Sequence, residues 1–206
     1  MQIAIIDYDA GNTKSVSKAL DYIGIENTIT ASKNTILAAD GIILPGVGAF
    51  PEAMASLEER DLIAVLQDVV AQGKPLLGVC LGMQLLLDSS EEHGYTQGLG
   101  LIPGQVKLLP STAKIPHMGW NQLEVTQNCP LTQNQEGNFV YYVHSYYADC
   151  DAKYVMASSS YSVQVPGIIA NKNVYGAQFH PEKSGQAGLE ILQGFKEVIT
   201  CASSQQ

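Results

Sequence analysis

The sequence contains a single arginine, Arg60, and its 20 acidic residues outnumber the 11 basic ones, giving a formal net charge of −9 at pH 7. Nucleic acids and anionic membranes bind proteins through basic faces, so this charge balance argues against both as partners. The chain has neither a P-loop nor a Gly-x-Gly-x-x-Gly motif, and therefore no recognisable cradle for a nucleotide. We expect any phosphorylated substrate to bind to another subunit.

Cysteine is scarce and long apolar runs are missing. The spacing of the four cysteines, at positions 80, 129, 150 and 201, is not that of metal ligands, so neither a metal nor another cofactor is expected. The longest apolar stretch, residues 75–87, is shorter than the roughly 20 residues of a membrane span. The first strand follows Met1 without a basic, apolar signal segment. These features predict a cytoplasmic protein without a membrane segment.

Alternating strand and helix patterns predict an α/β fold in the first half of the chain. Strands are predicted at residues 2–7, 25–30, 41–44 and 74–79. Helices are predicted at residues 12–23 and 51–72. Strands that alternate with helices favour a mostly parallel sheet flanked by helices, with ligands bound at the carboxyl ends of the strands.

The pattern changes to short alternating runs between residues 104 and 175, which favours antiparallel strands. These are predicted at residues 105–109, 121–125, 139–143, 155–159 and 167–171. We interpret them as a C-terminal antiparallel extension of the sheet. The length of 206 residues predicts one domain, residues 1–206, and residues 202–206 are expected to form a loose tail.

Residues 74–87 predict a nucleophile elbow, a sharp turn that joins a buried strand to a helix. Gly78 and Gly82 flank Cys80 at two residues on either side, where such a turn leaves no room for a Cβ atom. The turn would place the Cys80 thiol at a helix start, whose free N–H groups favour the thiolate and can bind an oxyanion. A buried structural cysteine is the alternative interpretation.

A base and an orienting carboxylate follow near the end of the chain. Residues 174–180 predict a strand, and residues two apart in an extended chain face the same side, so His180 and Glu182 can share one site. With Cys80 they supply the nucleophile, base and orienting group of acyl transfer. Alone, His180 could be a satisfied strand-end histidine and Glu182 a solvated turn residue. The prediction therefore depends on their combination with the elbow.

The elbow and the late His-x-Glu motif resemble the signature of the class I, or triad, glutamine amidotransferases. Residues 45–48, 117–121 and 141–146 are similar to segments of the glutaminase subunits of imidazole glycerol phosphate synthases, and the resemblance covers nearly the whole chain. It implies a flavodoxin-like α/β fold and hydrolysis of glutamine through a thioester on Cys80. It also implies a heterodimer with a (β/α)₈-barrel cyclase subunit, which receives the ammonia in histidine biosynthesis.

The oxyanion hole is predicted from position and from the resemblance together. The Leu81 N–H at the helix start is one expected donor. By the family's pattern the second is the Val47 N–H, in a loop that Gly46 and Gly48 are expected to make mobile. Gly48 is also a predicted substrate contact.

Four further residues are predicted to bind glutamine. Gln84 lies four residues after the nucleophile, on the same helix face, and is expected to bind the amino-acid part of the substrate, unless it is only a polar break in a buried helix. By resemblance, Glu92 contacts the ammonium group, while Ser145 and Tyr146 approach the carboxylate. The alternatives are a solvated acidic helix end for Glu92 and a wedge at the sheet edge for Tyr146.

A face for the partner subunit is predicted at the carboxyl edge of the sheet. Its residues are Asn12, Trp120, Tyr141 and Lys183. Trp120 is interpreted as a docking anchor rather than a core plug, and Lys183 as a salt-bridging anchor rather than a solvated lysine. His117 and His144 are assigned no catalytic role, and orientation or interface packing is expected of them.

Two other functions stay open at the level of sequence. Another class I amidotransferase, such as one that feeds anthranilate or carbamoyl phosphate synthesis, would share the triad. It would be expected to have a Gly-rich oxyanion segment in place of residues 45–48 and to lack residues 117–121. A non-catalytic binding module of the same fold would have no need of an intact triad.

Overall fold

The computed structural model describes residues 1–204, which build one large and two small sheets with helices around them. The strands are β1 (Gln2–Ile6), β2 (Glu26–Thr30), β3 (Gly41–Gly46), β4 (Leu76–Cys80), β5 (Ser89–Ser90), β6 (Thr96–Gln97), β7 (Gln105–Leu108), β8 (His117–Gln122), β9 (Glu124–Val125), β10 (Phe139–His144), β11 (Tyr146–Asp149), β12 (Val155–Ser160), β13 (Gln164–Asn171) and β14 (Val174–Ala177). The α-helices are α1 (Thr13–Tyr22), α2 (Lys33–Ala38), α3 (Phe50–Glu59), α4 (Leu62–Ala71), α5 (Leu81–Leu85) and α6 (Gly185–Ser203). Short 3-10 turns occupy Pro130–Thr132, Ala152–Tyr154 and Pro181–Lys183.

The large sheet has the strand order β2-β1-β3-β4-β14-β13-β12-β9. The first five of these strands are parallel, and β13, β12 and β9 continue the sheet antiparallel. The predicted α/β class, with a mostly parallel sheet and a C-terminal antiparallel extension, is confirmed. β7 and β10 do not join this extension, because β7 pairs with β5 and β11, and β10 pairs with β8, in the two small sheets.

Apolar side chains bury both faces of the parallel part of the sheet. Ala4 and Ile6 of β1 pack on one face, while Ile3 and Ile5 pack on the other. Successive residues of a strand point to opposite faces, so a strand covered on both sides needs an unbroken apolar run. This explains why β1, β3 and β4 could be found from the sequence. Among residues 1–204, no helix combines the length and the apolar character that crossing a bilayer requires.

The prediction of one helix over residues 51–72 is wrong, because α3 and α4 are separate helices. Asp61, between them, has φ +51°, a left-handed conformation that a right-handed helix cannot contain. The short helix α2, capped by the Ser32 side chain, was not predicted. The prediction of a loose tail at residues 202–206 is also wrong in part, because α6 continues to Ser203. Positions 205 and 206 lie outside the described residues.

Candidate active site

The candidate site lies where three neighbouring parallel strands end. β3 ends at Gly46, which pairs with Cys80 at the end of β4, and Ala177 at the end of β14 pairs with Val79. Carboxyl ends of parallel neighbours meet at one edge of the sheet. The chain therefore brings the predicted oxyanion loop, the predicted nucleophile and the segment leading to His180 to the same place.

Cys80 has the geometry of a nucleophile elbow. Its φ of +55° and ψ of −112° lie outside the regions that residues with side chains normally adopt, and α5 begins at the next residue. A Cβ atom at Gly78 would lie 2.6 Å from the Gly82 carbonyl oxygen, and one at Gly82 would overlap the Leu44 carbonyl oxygen. Only glycine fits at these two positions, because the helix start packs directly onto the backbone of β3 and β4.

His180 and Glu182 form a buried pair beside Cys80. His180 Nδ1 lies 2.8 Å from Glu182 Oε1, and the two side chains are 2% and 1% exposed. The reason given for this pairing at the level of sequence is wrong: β14 ends at Ala177, and Glu182 lies in the 3-10 turn Pro181–Lys183. The turn, rather than strand alternation, folds the carboxylate back onto the imidazole.

The surroundings of His180 favour its protonated form. Burial lowers the pKa of this imidazole, but the nearby Cys80 and the hydrogen-bonded Glu182 carboxylate outweigh burial and raise the pKa from 6.5 to about 9. Its Nε2 is buried and has no hydrogen-bond partner, since only Nδ1 is held by the carboxylate. One ring nitrogen is therefore free for proton transfer at the nucleophile.

Backbone and side-chain contacts fix the segment that carries this pair. The His180 N–H donates to the Tyr141 carbonyl at 3.0 Å, and Ser184 Oγ donates to the His180 carbonyl at 2.6 Å. The Tyr141 N–H in turn donates to Ser184 Oγ at 3.0 Å. Asn12 Nδ2 lies 3.4 Å from Glu182 Oε1. Asn12, predicted at the partner face, thus also contacts the carboxylate of the buried pair.

Cys80 and His180 open into a pocket of about 410 Å³, a size typical of small-molecule sites. It is also lined by every residue predicted for the oxyanion hole and for substrate binding: Val47, Gly48, Leu81, Gln84, Glu92, Ser145 and Tyr146. The structure therefore brings together residues that are far apart in the sequence. Among residues 1–204, no group of three or more His, Cys, Asp or Glu side chains is arranged to hold a metal ion.

The loop at residues 45–48 is fixed at one end and free at the other. A Cβ atom at Gly46 would lie 2.7 Å from both the Gly82 nitrogen and Tyr8 Oη, so packing rather than mobility requires glycine there. Tyr8 Oη also donates to the Pro45 carbonyl at 2.7 Å. Gly48, with φ +106°, has no atom near its missing Cβ, and Val47 is 45% exposed. Freedom to reorient is therefore confined to the Val47–Gly48 end.

Gln84 is buried with its amide nitrogen already in use. Its Nε2 donates to the Tyr146 carbonyl at 2.8 Å and to Gln178 Oε1 at 3.1 Å. Both N–H groups of the Gln84 amide are therefore in use. The side-chain oxygen is then the atom that can meet a ligand. An acceptor at this position suits an ammonium group and not a carboxylate.

Glu92 is buried rather than solvated, so the alternative of a solvated acidic helix end is wrong. It is 8% exposed, and its Oε2 accepts the Phe50 N–H at 2.8 Å at the start of α3. A carboxylate at a helix N-terminus is stabilised by the helix dipole. Burial and the charge of Glu92 raise the pKa of the Tyr146 phenol, and both residues line the pocket.

The predicted partner-face residues surround the segment that carries His180. Trp120 of β8 is 56% exposed, so the core-plug interpretation is wrong, and its ring lies edge-on to Tyr141 with centroids 6.0 Å apart. Tyr141 is bonded on both sides to the His180–Ser184 segment, as described above. Lys183 is exposed in the same turn as Glu182. Met118 and Phe139, both exposed, extend this apolar surface.

Several residues of the site were not predicted. Gln178, fully buried, lies with its Nε2 4.0 Å from Cys80 Sγ and joins Gln84 to the nucleophile. It lies directly after the end of β14 at Ala177, so its place at the carboxyl edge of the sheet is the signal that could have found it. Tyr8 follows β1 at the same sheet edge and could have been found from that position. Ser184 carries no signal in the sequence beyond its nearness to His180.

Comparison with known proteins agrees with this geometry. The family model described as glutamine amidotransferase class-I matches residues 4–198. A protein named imidazole glycerol phosphate synthase subunit HisH, from Listeria monocytogenes serotype 4b (strain CLIP80459), is 64% identical over 99% of this chain and 100% of its own length. The HisH subunit of Bacillus cereus (strain B4264) is 57% identical over 99% of this chain and 98% of its own. A solved structure described as a glutamine amidotransferase aligns with a TM-score of 0.77 at 18% identity, over 96% of this chain and 98% of its own.

Proposed function

The chain belongs to the class I glutamine amidotransferase family, and from this premise we propose that it is the glutaminase subunit of an imidazole glycerol phosphate synthase. It hydrolyses glutamine to glutamate and ammonia. The observation that carries the proposal is the strained Cys80 at an elbow, facing the buried His180–Glu182 pair in one pocket. An intact triad speaks against a binding module, and full-length similarity to HisH subunits favours this amidotransferase over others of the family.

Hydrolysis proceeds through a thioester in two steps. The Cys80 sulfur attacks the side-chain amide carbon of glutamine, and the His180 Nε2 proton is transferred to the amide nitrogen as the C–N bond breaks and ammonia leaves. His180 then takes a proton from water as its oxygen attacks the thioester carbon. The C–S bond breaks, which yields glutamate and restores the thiolate. Glu182 holds the imidazole in the required orientation throughout.

Each tetrahedral intermediate carries a negative oxygen that needs hydrogen-bond donors. The Leu81 N–H at the start of α5 is the fixed donor, and the Val47 N–H is the second. For the substrate's other end, Gln84 Oε1 and the Glu92 carboxylate offer acceptors to the ammonium group. We assign Ser145 and Tyr146, which line the same pocket, to the substrate carboxylate.

The partner is the cyclase subunit, which we propose to be a (β/α)₈ barrel that receives the ammonia in a heterodimer. Ammonia released into bulk water would be protonated, so delivery through a covered path protects it. The exposed Trp120 and its neighbour Tyr141 beside the triad supply an apolar surface for docking.

A cytoplasmic location is part of the proposal, since the nucleophile must stay reduced and none of the four cysteines is in a disulfide.

The direct test is to mix the purified chain with glutamine and the cyclase partner and to measure glutamate. The proposal expects glutamate release that depends on this chain. No release from a complex that is shown to assemble contradicts it.

Replacing Lys183 by alanine is expected to weaken association with the cyclase, or the coupling of the two activities, more than it weakens folding. An exposed cation contributes little to stability, on the order of 1 kcal/mol or less. Thermal unfolding of the isolated chain and titration with the cyclase measure the two effects. Lys196→Ala, at a half-buried lysine on α6 outside the predicted partner face, is the control. A large drop in Tm with unchanged binding would refute the interface role.

The rate should depend on pH through His180. With its pKa raised to about 9, the imidazole is protonated below that pH and can donate to the leaving ammonia. As pH rises through this value the donor is lost, so kcat at saturating glutamine is expected to fall by about tenfold per pH unit above it. Steady-state rates between pH 7 and 10 measure this fall, with Tm as the check that the chain stays folded. A flat profile to pH 10 contradicts the assignment.

A further inference from the structure

Two buried histidines outside the triad, His117 and His144, connect β8 to the wall of the pocket. They face each other as a cross-strand pair of β8 and β10 and are 3% and 6% exposed. His117 Nδ1 lies 3.0 Å from His144 Nε2, and His144 Nδ1 lies 2.8 Å from the Tyr146 carbonyl oxygen. Asn121 Nδ2 lies 3.4 Å from His117 Nε2. Every ring nitrogen therefore has a polar partner, although the mechanism above uses neither ring.

The chemistry at one end fixes the direction of this hydrogen-bond chain. A carbonyl oxygen only accepts, so His144 Nδ1 carries the hydrogen, and His144 Nε2 is an acceptor in the neutral ring. His117 Nδ1 must then donate, and its Nε2 accepts from the Asn121 amide. Burial lowers the pKa of both rings to about 4, which keeps both neutral at pH 7. Hydrogen bonds thus point in one direction, from Asn121 to Tyr146.

Aromatic packing holds the His117 ring in the orientation that these hydrogen bonds require. Its ring stacks on the Tyr142 ring, with the centroids 4.6 Å apart, and on the Tyr161 ring, with the centroids 3.9 Å apart. The interplanar angles are 20° and 16°. Tyr161 Oη donates to the Lys114 carbonyl at 2.7 Å, which fixes its own position. Stacked in this way, the imidazole makes its polar contacts in the ring plane.

The hydrogen-bond chain ends at the Tyr146 carbonyl, which also holds a residue of the substrate pocket. The Tyr146 carbonyl accepts from His144 and, at 2.8 Å, from Gln84 Nε2. Gln84, His144, Ser145 and Tyr146 all line the pocket. Two donors on one carbonyl restrict the rotation of that peptide group, and so fix the segment that borders the substrate carboxylate.

We propose that His144 is a positioning residue for glutamine binding, held in its donor tautomer by His117, and that it acts through the Tyr146 carbonyl. The proposal rests on the assignment of this pocket as the glutaminase site. β8 carries His117 inward, while Met118 and Trp120 are exposed to solvent on the same strand. One strand therefore links the proposed docking surface to the wall of the substrate pocket.

The effect is expected in KM rather than in kcat. The carboxylate end of glutamine keeps its charge while the side-chain amide reacts, so contacts there stabilise the bound substrate and the transition state equally. Losing such uniform binding raises KM and leaves kcat unchanged. A merely structural role would instead reduce the active fraction, which lowers kcat at constant KM.

The test compares matched variants in the complex with the cyclase. His144→Phe keeps the ring but loses the N–H, whereas the amide nitrogen of His144→Asn can take the place of Nδ1 and donate to Tyr146. His117→Phe leaves His144 Nε2 without its donor, and His117→Asn restores one. We expect KM for glutamine to rise about tenfold in His144→Phe and about threefold in His117→Phe. The two Asn variants should stay within about twofold of the unsubstituted chain, with kcat little changed in all four.

Unchanged KM in a folded His144→Phe variant would overturn the proposal, as would a fall in kcat alone or an Asn variant as impaired as its Phe counterpart. If His144→Phe does not fold, the difference in KM between His117→Phe and His117→Asn decides in the same way. Failure of the proposed function gives a distinct result, because the unsubstituted complex would then release no glutamate.

Discussion

Replacing Cys80 by serine is expected to abolish glutamine hydrolysis while the complex with the cyclase still makes its product from ammonium salts. The serine hydroxyl is a much weaker nucleophile than a thiolate paired with His180, and no other cysteine lies in the pocket. The substitution changes one atom in a side chain that is 6% exposed, so the elbow and the partner surface should be retained. Glutamate release and ammonium-dependent synthesis, measured on the same preparation, separate catalysis from assembly.

Cys150→Ser is the matched control, because Cys150 directly follows β11 and does not line the pocket. It should leave glutamine hydrolysis unchanged. Loss of both activities in Cys80→Ser would mean that the substitution disrupts assembly. Retained hydrolysis would mean that Cys80 is not the nucleophile.

Replacing Val47 by proline is expected to lower kcat for glutamine hydrolysis by roughly 10²-fold to 10³-fold. Proline has no backbone N–H, so the variant removes one of the two proposed oxyanion donors, and the loss of one such donor has an effect of this size. Val47→Ala keeps the N–H and is the control. A rate in Val47→Pro equal to that in Val47→Ala would exclude Val47 as a donor, provided that ammonium-dependent synthesis shows an intact complex.

The Val47 N–H also offers a way for the cyclase subunit to control the rate of glutamine hydrolysis. Val47 is 45% exposed beside the unobstructed Gly48, whereas Gly46 and the Pro45 carbonyl are held by packing and by Tyr8. A peptide reorientation at the free end is sterically cheap, and the cyclase and its ligand can shift the population toward the aligned form. We therefore expect a low kcat for the free subunit and a high kcat for the liganded complex. In Val47→Pro this activation should disappear. Equal rates for the free subunit and the liganded complex contradict this role of the loop.

Local steric demands explain which parts of the site could be predicted. The elbow is visible in the sequence because only glycine fits at two positions: Gly78 meets the backbone of Gly82 within the turn, and Gly82 meets the Leu44 carbonyl of the neighbouring strand β3. The strands β1, β3 and β4 are visible because burial on both faces requires continuous apolar runs. By contrast, the break at Asp61 depends on one residue in a left-handed conformation, and no glycine or proline marks it.

Contacts between distant segments account for most of what the sequence did not show. Asn12 reaches Glu182 across 170 positions, and His117 meets His144 only because β8 and β10 pair in one register. These two strands are separated in the chain by β9 and a 3-10 turn, so no local pattern encodes their register. The roles of Gln84 and Glu92 were predicted from the nucleophile's helix and from the resemblance, while the hydrogen bonds that hold them appear only in the folded chain.

The central claim is that glutamine is opened by Cys80 through a covalent thioester. The most direct measurement is rapid acid quenching of the complex during turnover, followed by mass analysis of the intact chain and of its peptides. The account predicts an added glutamyl group on the peptide that contains Cys80, present with glutamine and lost when it is exhausted. Turnover without any such adduct, or an adduct on Cys129, Cys150 or Cys201 in its place, would contradict it.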